Sequence, residues 1–144
     1  YRGSRDGFRA AAFHEKCDKK GPTITVVSAK GIIFGGYTQY DWESEETYHL
    51  GNVTDYIYLL DPPVKLHFRE GAKNAVGCHP CYGPAFGGSI WDGGFFIGDE
   101  CDKSGNSLIY STSCCGTPAE WQLHFKKHAG KFSVTEIEVF SVRN

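Results

Sequence analysis

The apolar and β-branched residues of this 144-residue chain come in short runs separated by turn-forming residues, and its 18 glycines leave little room for long regular elements. That punctuation argues against a helical bundle and for a compact, turn-rich β protein. The clearest local pattern lies at residues 64–69, where Val64, Leu66 and Phe68 alternate with Lys65, His67 and Arg69. A period of two puts the apolar side chains on one face and the polar ones on the other, so this is a strand with one wet face, His67 included.

Residues 23–28 are rich in β-branched side chains, Ala29-Lys30-Gly31 makes a short turn, and residues 32–37 complete a β-hairpin. Ahead of it, Ser4 or Asp6 can cap a helix whose first turn holds Phe8 and in which Phe13 and Cys17 meet one turn apart. Gly21-Pro22 stops that helix. Trp42 closes the segment as a buried aromatic. Residues 43–47 read as an acidic surface loop, and residues 55–60 as an aromatic strand ended by Pro62-Pro63. Residues 71–94 are too rich in glycine and proline for more than short strands around Phe86 and Ile90. Further strands are expected at residues 95–98, 108–112, 121–125 and 133–142. Because strand and helix periods do not alternate, a doubly wound sheet is disfavoured. The expected class is mainly β (α+β): a two-sheet antiparallel β-sandwich with a flanking N-terminal helix and few other helices.

A chain of this length fits a single domain, residues 1–144, whose core does not require metals or disulfides. Ten Phe, eight Tyr and three Trp supply the bulk of that core. The formal net charge is −2, and basic residues are scattered singly or in pairs such as Lys19-Lys20 and Lys126-Lys127, which disfavours nucleic acid as a partner. No apolar run approaches the roughly 18 to 20 residues of a membrane helix, and the first residues lack the apolar core of a signal peptide, so no direct membrane insertion is expected. The abrupt start at Tyr1 and the end just after the last strand suit a module of a larger protein.

Three motifs carry a family likeness. Gly7-Phe8, His14-Glu15-Lys16-Cys17, Gly21-Pro22-Thr23, Phe34-Gly35-Gly36-Tyr37 and Trp42 follow one another at the start. Tyr82-Gly83-Pro84-Ala85-Phe86-Gly87-Gly88 stands at the centre, and Phe132-Ser133-Val134-Thr135-Glu136-Ile137-Glu138-Val139-Phe140 closes the chain. In this order the segments resemble the opening, the central signature and the last strand of a TLDc domain, so the likeness spans nearly all of the chain. The resemblance implies a two-sheet β-sandwich with a small number of helices. It also implies a link to oxidative-stress protection and binding to the vacuolar proton-pumping ATPase, whose assembly or activity members of the family regulate. The His-Glu-Lys-Cys and Phe-Gly-Gly-Tyr wording is similar to the subgroup in which the domain precedes a GTPase region in interferon-induced proteins. Trp91-Asp92-Gly93-Gly94 departs from the family, whose members tend to carry an Asp-Leu or Asp-Ile pair there.

The Phe-Gly-Gly triplets at Phe34 and Phe86 have unmatched flanks, so they do not mark a duplication. Glycine there is expected to permit a close backbone approach or a bulge where two sheets meet. A phosphate-cradling loop would need a following Lys-Ser or Lys-Thr and a helix, which neither triplet has.

Cys78-His79-Pro80-Cys81 has the spacing of a zinc knuckle or a redox dithiol, and Cys17, Cys101 and Cys114-Cys115 are the residues available to complete a site. The vicinal thiolates of Cys114 and Cys115 are poorly placed to share one tetrahedral ion. A thioredoxin-type dithiol needs a helix that Tyr82-Gly83-Pro84 denies. Free, partly buried thiols are expected in a cytoplasmic protein, and three disulfides in an extracellular one, where Asn52-Val53-Thr54 would be a glycosylation sequon. Asp99 to Asn106 has the oxygen-rich look of a calcium loop without the closing bidentate Glu, and reads as a solvated turn.

Glu136 and Glu138 fall on one face of the last strand, close enough to perturb each other, with Ile137 and Val139 opposite. That geometry could support acid–base chemistry, but the outward face of a strand is the expected reading. Histidines 14, 49, 67, 79, 124 and 128 are dispersed, and no nucleophile-elbow Gly-x-Ser-x-Gly occurs. The sequence therefore points away from an enzyme, with no catalytic, metal or cofactor-binding residues assigned. The expected function is a non-catalytic protein-interaction module of TLDc type, cytoplasmic, with vacuolar ATPase subunits as its protein partner. The rival readings are a disulfide-stabilised extracellular interaction module and a zinc- or thiol-dependent enzyme.

Overall fold

The computed structural model describes residues 1–87, 94–110 and 115–143. It is a mostly β structure of two antiparallel sheets with few helices. The first sheet holds β1 (Thr23–Ala29), β2 (Ile32–Thr38), β4 (Tyr56–Leu59), β5 (Val64–His67) and β11 (Val134–Ser141), ordered β11-β1-β2-β4-β5. The second holds β3 (Thr47–His49), β6 (Val76–Cys78), β7 (Ala85–Phe86), β8 (Phe95–Phe96), β9 (Ser107–Ile109) and β10 (Gly130–Phe132), ordered β10-β9-β8-β7-β6-β3.

Alternation sets the layers. Thr23, Thr25, Val27 and Ala29 of β1 are buried while the residues between them are half-exposed, as period two demands of a strand with one covered face. The expected hairpin forms through a two-residue loop in which both Lys30 (φ 56°) and Gly31 (φ 74°) are left-handed, the backbone that matches the twist of the strands it joins. Leu66 and Phe68 face inward as expected, and Lys65, His67 and Arg69 face water. Between the sheets lies a chain of rings: Phe13 meets Trp42 at 5.5 Å, Trp42 meets Phe86 at 5.7 Å, Phe86 meets Phe95 at 5.2 Å and Phe95 meets Phe34 at 5.0 Å. Most of these pairs are edge-on, the arrangement that ring quadrupoles favour. The buried indole of Trp42 donates to the Thr23 hydroxyl at 2.9 Å.

The Phe-Gly-Gly triplet at Phe34 has the explanation expected of it, a close approach where the sheets meet, and Gly88 of the other triplet lies outside the described residues. A Cβ on Gly36 would stand 2.7 Å from the ring of Phe86, so the first triplet gives way where the second sheet's aromatic presses in. A Cβ on Gly35 would meet the Thr25 carbonyl oxygen at 1.8 Å and the Tyr58 hydroxyl at 2.7 Å. Gly87, in the second triplet, is left-handed at φ 78°.

Two expectations need correction. The N-terminal helix is two short ones, α1 (Gly3–Asp6) and α2 (Ala10–Cys17), broken at Gly7 with φ 104°. Ser4 and Asp6 lie inside α1 and cap neither. Asp99, far along the chain, caps α2 instead, its Oδ1 accepting from Ala10 N at 2.8 Å. Residues 121–125 are not a strand but belong to α3 (Pro118–His124) and the residue after it, followed by a 3-10 turn, Lys126–His128. Thr117 accepts from Glu120 N at 3.2 Å and Glu120 Oε2 accepts from Thr117 N at 2.6 Å, a complete capping box. One turn apart in the helix, Trp121 and Phe125 stack at 4.8 Å. The short strands β3, β6 and β10 fall in stretches read as loop or left unassigned. The strand expected at 108–112 is β9, with residues 111 and 112 outside the described residues, as is the strand expected near Ile90.

Candidate functional site: an aromatic sheet face

The groups best suited to chemistry hold the fold together. Glu136 and Glu138 share the outward face of β11, with Ile137 and Val139 buried. The Arg2 guanidinium pairs with Glu138, and Glu136 Oε1 accepts from Ser4 N at 3.1 Å and from Ile137 N at 2.9 Å. Burial works to raise the Glu136 carboxyl. The Ser4 and Ile137 hydrogen bonds outweigh it and hold the group below the usual carboxylate range. The carboxylate pair therefore clamps the N-terminal segment against β11 beside the Arg2 and Glu138 bridge. In the calcium-like stretch, Asp99 is the helix cap, and its carbonyl accepts from the Ser104 hydroxyl at 2.9 Å. No group of three or more His, Cys, Asp or Glu side chains that could hold a metal ion occurs among the described residues.

Cys17, Cys78, Cys81 and Cys101 are free thiols, Cys115 is buried, and Cys114 lies outside the described residues. Cys78 ends β6 in the interior whereas Cys81 is exposed in the turn that follows, so the two members of the C-x-x-C pair face different environments. Burial pushes the thiols of Cys17 and Cys101 up to about 12 and that of Cys78 up to about 11, which keeps them from forming the thiolate that metal binding or nucleophilic attack requires. His14, buried in α2, has an oxygen acceptor at each ring nitrogen. Nδ1 lies 2.7 Å from Asp18 Oδ1, and Nε2 lies 2.8 Å from the His79 carbonyl and 2.9 Å from that of Tyr82. The histidine of the His-Glu-Lys-Cys segment thus ties α2 to the C-x-x-C turn, a role its isolated place in the sequence did not disclose.

What remains unspent lies on the outward face of the first sheet. Register aligns Phe140 with Ile24, Ile24 with Tyr37, Tyr37 with Tyr56 and Tyr56 with His67, so one row across all five strands carries apolar or aromatic side chains. Tyr37 and Tyr56 stack at 5.4 Å, His67 meets Tyr56 edge-on at 5.4 Å, and Lys65 Nζ stands 4.9 Å above the Tyr56 ring. The next row brings Tyr58 over Gly35. With no side chain beneath it, the Tyr58 hydroxyl reaches down and donates to the Thr25 carbonyl at 2.9 Å, which fixes the ring flat on the sheet. Burial raises the Tyr58 hydroxyl to about 12, so it remains a donor at any physiological pH. Beside these rings is a shallow groove of about 310 Å³ walled by Ile24, Tyr56, Tyr58, Pro63 and Val64. Phe140 remains 48 % exposed and Ile33, at the next level of β2, 40 %, where a sheet face turned to water would ordinarily be polar. Tyrosines braced against one another make contact area at little entropic cost, and aromatic residues are enriched in interface cores. Nothing in the sequence assigned these residues to a site. The signal was the odd spacing of Tyr56 and Tyr58, which becomes a surface only when the register of four other strands is known.

Two antiparallel sheets, short flanking helices and an outward aromatic face define a β-sandwich-like domain. The TLDc domain family matches residues 1–143, and the chain belongs to that family. A search of curated proteins found no match.

Proposed function

We propose that this TLDc domain is a non-catalytic, cytoplasmic protein-binding module that docks on the vacuolar proton-pumping ATPase and regulates its assembly or activity, and that its link to oxidative-stress protection runs through that partner. Family membership supports the partner class, and the braced aromatic row of Ile24, Tyr37, Tyr56 and Phe140 is the observation that carries the binding role. Buried thiols held protonated favour an indirect antioxidant role over direct thiol chemistry. Free thiols at Cys17, Cys78, Cys81 and Cys101 favour this reading over an extracellular disulfide-held module.

The test is a pull-down of the purified chain with the soluble sector of the vacuolar ATPase, with ATP hydrolysis followed as the chain is titrated. Saturable binding that changes hydrolysis is expected. Tyr56→Glu, which places a charge in the aromatic row without touching the core, should weaken it by about tenfold or more, as loss of an interface anchor does. No binding at micromolar concentrations overturns the assignment of partner, and binding indifferent to Tyr56→Glu overturns the assignment of surface.

A further inference from the structure

The chemistry of the aromatic row restricts what can lie on it. β2 and β4 are paired along both edges, so their main-chain groups are spent and an added strand would find nothing to bond there. What this face offers comes from side chains. The Tyr37 and Tyr56 hydroxyls have no hydrogen-bond partner among the described residues, and Lys65, its Nζ 4.9 Å above the Tyr56 ring, has no ion-pair partner among them. The Tyr58 hydroxyl is already committed to the Thr25 carbonyl. Lys65 is one of the walls of the groove beside Tyr56 and Tyr58, and no carboxylate is. The face is therefore a set of braced rings with open hydroxyls and one unpaired cation.

A polyproline II segment matches each of these features. It has no internal hydrogen bonds, so its carbonyls are open acceptors for the hydroxyls, and its prolines bring no N–H in need of a partner. An amphipathic helix bonds its carbonyls within itself and offers the hydroxyls no main-chain acceptor. The spacing agrees as well. Ile24 and Tyr56 line the same groove from β1 and β4, with β2 between them. Alternate strands lie about 9.6 Å apart, close to the about 9.3 Å over which a polyproline helix repeats a face. Aromatic-lined grooves are a recurrent seat for such segments, because their conformation is already set before binding. Charge selects further, since an unpaired ammonium with no carboxylate beside it favours an acidic neighbour to the prolines. We infer that this groove accepts an extended proline-rich segment of a partner protein, with prolines on Tyr56 and Tyr58 and an adjacent carboxylate on Lys65. The inference rests on the aromatic face being the binding surface and adds the chemistry of its occupant.

The probe is a short fluorescent peptide of Pro-Pro-Val repeats ending in a glutamate pair. Two controls accompany it, one with alanine for every proline and one with glutamine for both glutamates. Fluorescence anisotropy with the purified chain should show saturable binding of the probe and at least about tenfold weaker binding of the alanine peptide, which has lost its preorganisation. The glutamine peptide should bind about threefold more weakly or worse, with less dependence on salt. Lys65→Gln should erase the difference between glutamate and glutamine peptides and keep that between proline and alanine. Lys65 is exposed, so the melting temperature of that variant should match that of the wild-type chain. Tyr56→Ala should weaken binding by about tenfold or more, and amide resonances of Ile24, Tyr56 and Lys65 should shift on titration. Equal affinity for the alanine peptide, or a glutamate preference that survives Lys65→Gln, would overturn the inference. So would a chain that ignores the probe yet captures the ATPase in a manner lost in Tyr56→Glu, a result that leaves the surface standing without this occupant. Probe binding by a chain that captures no ATPase upholds the occupant and removes only the partner.

Discussion

Asp55 has no exposed surface, yet its carboxylate is well supplied: Thr38 donates its hydroxyl to Oδ2 at 2.8 Å and Gln39 its amide to Oδ1 at 3.0 Å. Burial pushes the carboxyl up, and the hydrogen bonds only partly restrain it. An acid whose pKa is higher in the folded than in the unfolded state holds its proton more tightly when folded. Its contribution to stability is therefore full below the unfolded value, near 3.9, and is lost as pH rises through the folded value. Glu136 is shifted the other way, so its contribution is present above the ordinary carboxylate range and is lost as pH falls below it. The two contributions are lost in opposite directions of pH. Urea denaturation of Asp55→Asn beside the wild-type chain should show a flatter decline of stability with pH above about 4 in the variant, with both proteins losing stability alike at lower pH. Asparagine keeps the acceptor for Gln39, and the Thr38 hydroxyl can turn to accept from its amide. A wild-type profile that does not decline above that pH would refute the assignment.

Elements were legible where one strand's own residues decide its fate. The 64–69 alternation, the β1 and β2 hairpin and the last strand follow from side-chain period and turn chemistry, which act within a few residues. The misreadings have physical causes. Residues 121–125 are expected as a strand, but Thr117-Pro118-Ala119-Glu120 ahead of them carries an N-cap, a proline in the first turn and a capping glutamate, and these local bonds prevail over β propensity. At the other end of the chain the helix start was sought in Ser4 and Asp6, whereas the cap of α2 arrives from Asp99, a contact no local window contains. The capping box makes α3 the element most open to test. Thr117→Ala removes the hydroxyl that accepts from Glu120 N and should cost about 1 kcal/mol of stability, with Thr117→Ser losing little. Thermal melts of both variants decide it, and hydrogen exchange should show earlier opening at Trp121 and Phe125 in the alanine variant alone.

At the scale of the whole molecule the sequence implied two sheets but not which strands lie beside which, because β11 pairs with β1 across more than a hundred residues and no local pattern encodes that partner. The aromatic row was hidden for the same reason, since it exists only once five strands are in register. Where the sheets meet, however, a single glycine controls their separation. Gly36 lies on the inner face of β2 with the Phe86 ring so close that an added Cβ would stand 2.7 Å from it. Neither ring nor backbone is free to withdraw, because Phe86 is also packed on Trp42 at 5.7 Å and on Phe95 at 5.2 Å. Backbone entropy alone would make Gly36→Ala stabilising by about 0.5–1 kcal/mol. Overpacking at the interface opposes it at about 1–3 kcal/mol, so the net effect should be destabilising. Shortening the partner distinguishes the two terms. Phe86→Leu alone opens a void and destabilises, but combined with Gly36→Ala it should cost less than the sum of the single changes, since the methyl then occupies space the ring has left. A double-mutant cycle measured by urea denaturation reads that coupling directly, and strictly additive costs would show that the sheets are not held apart by this contact.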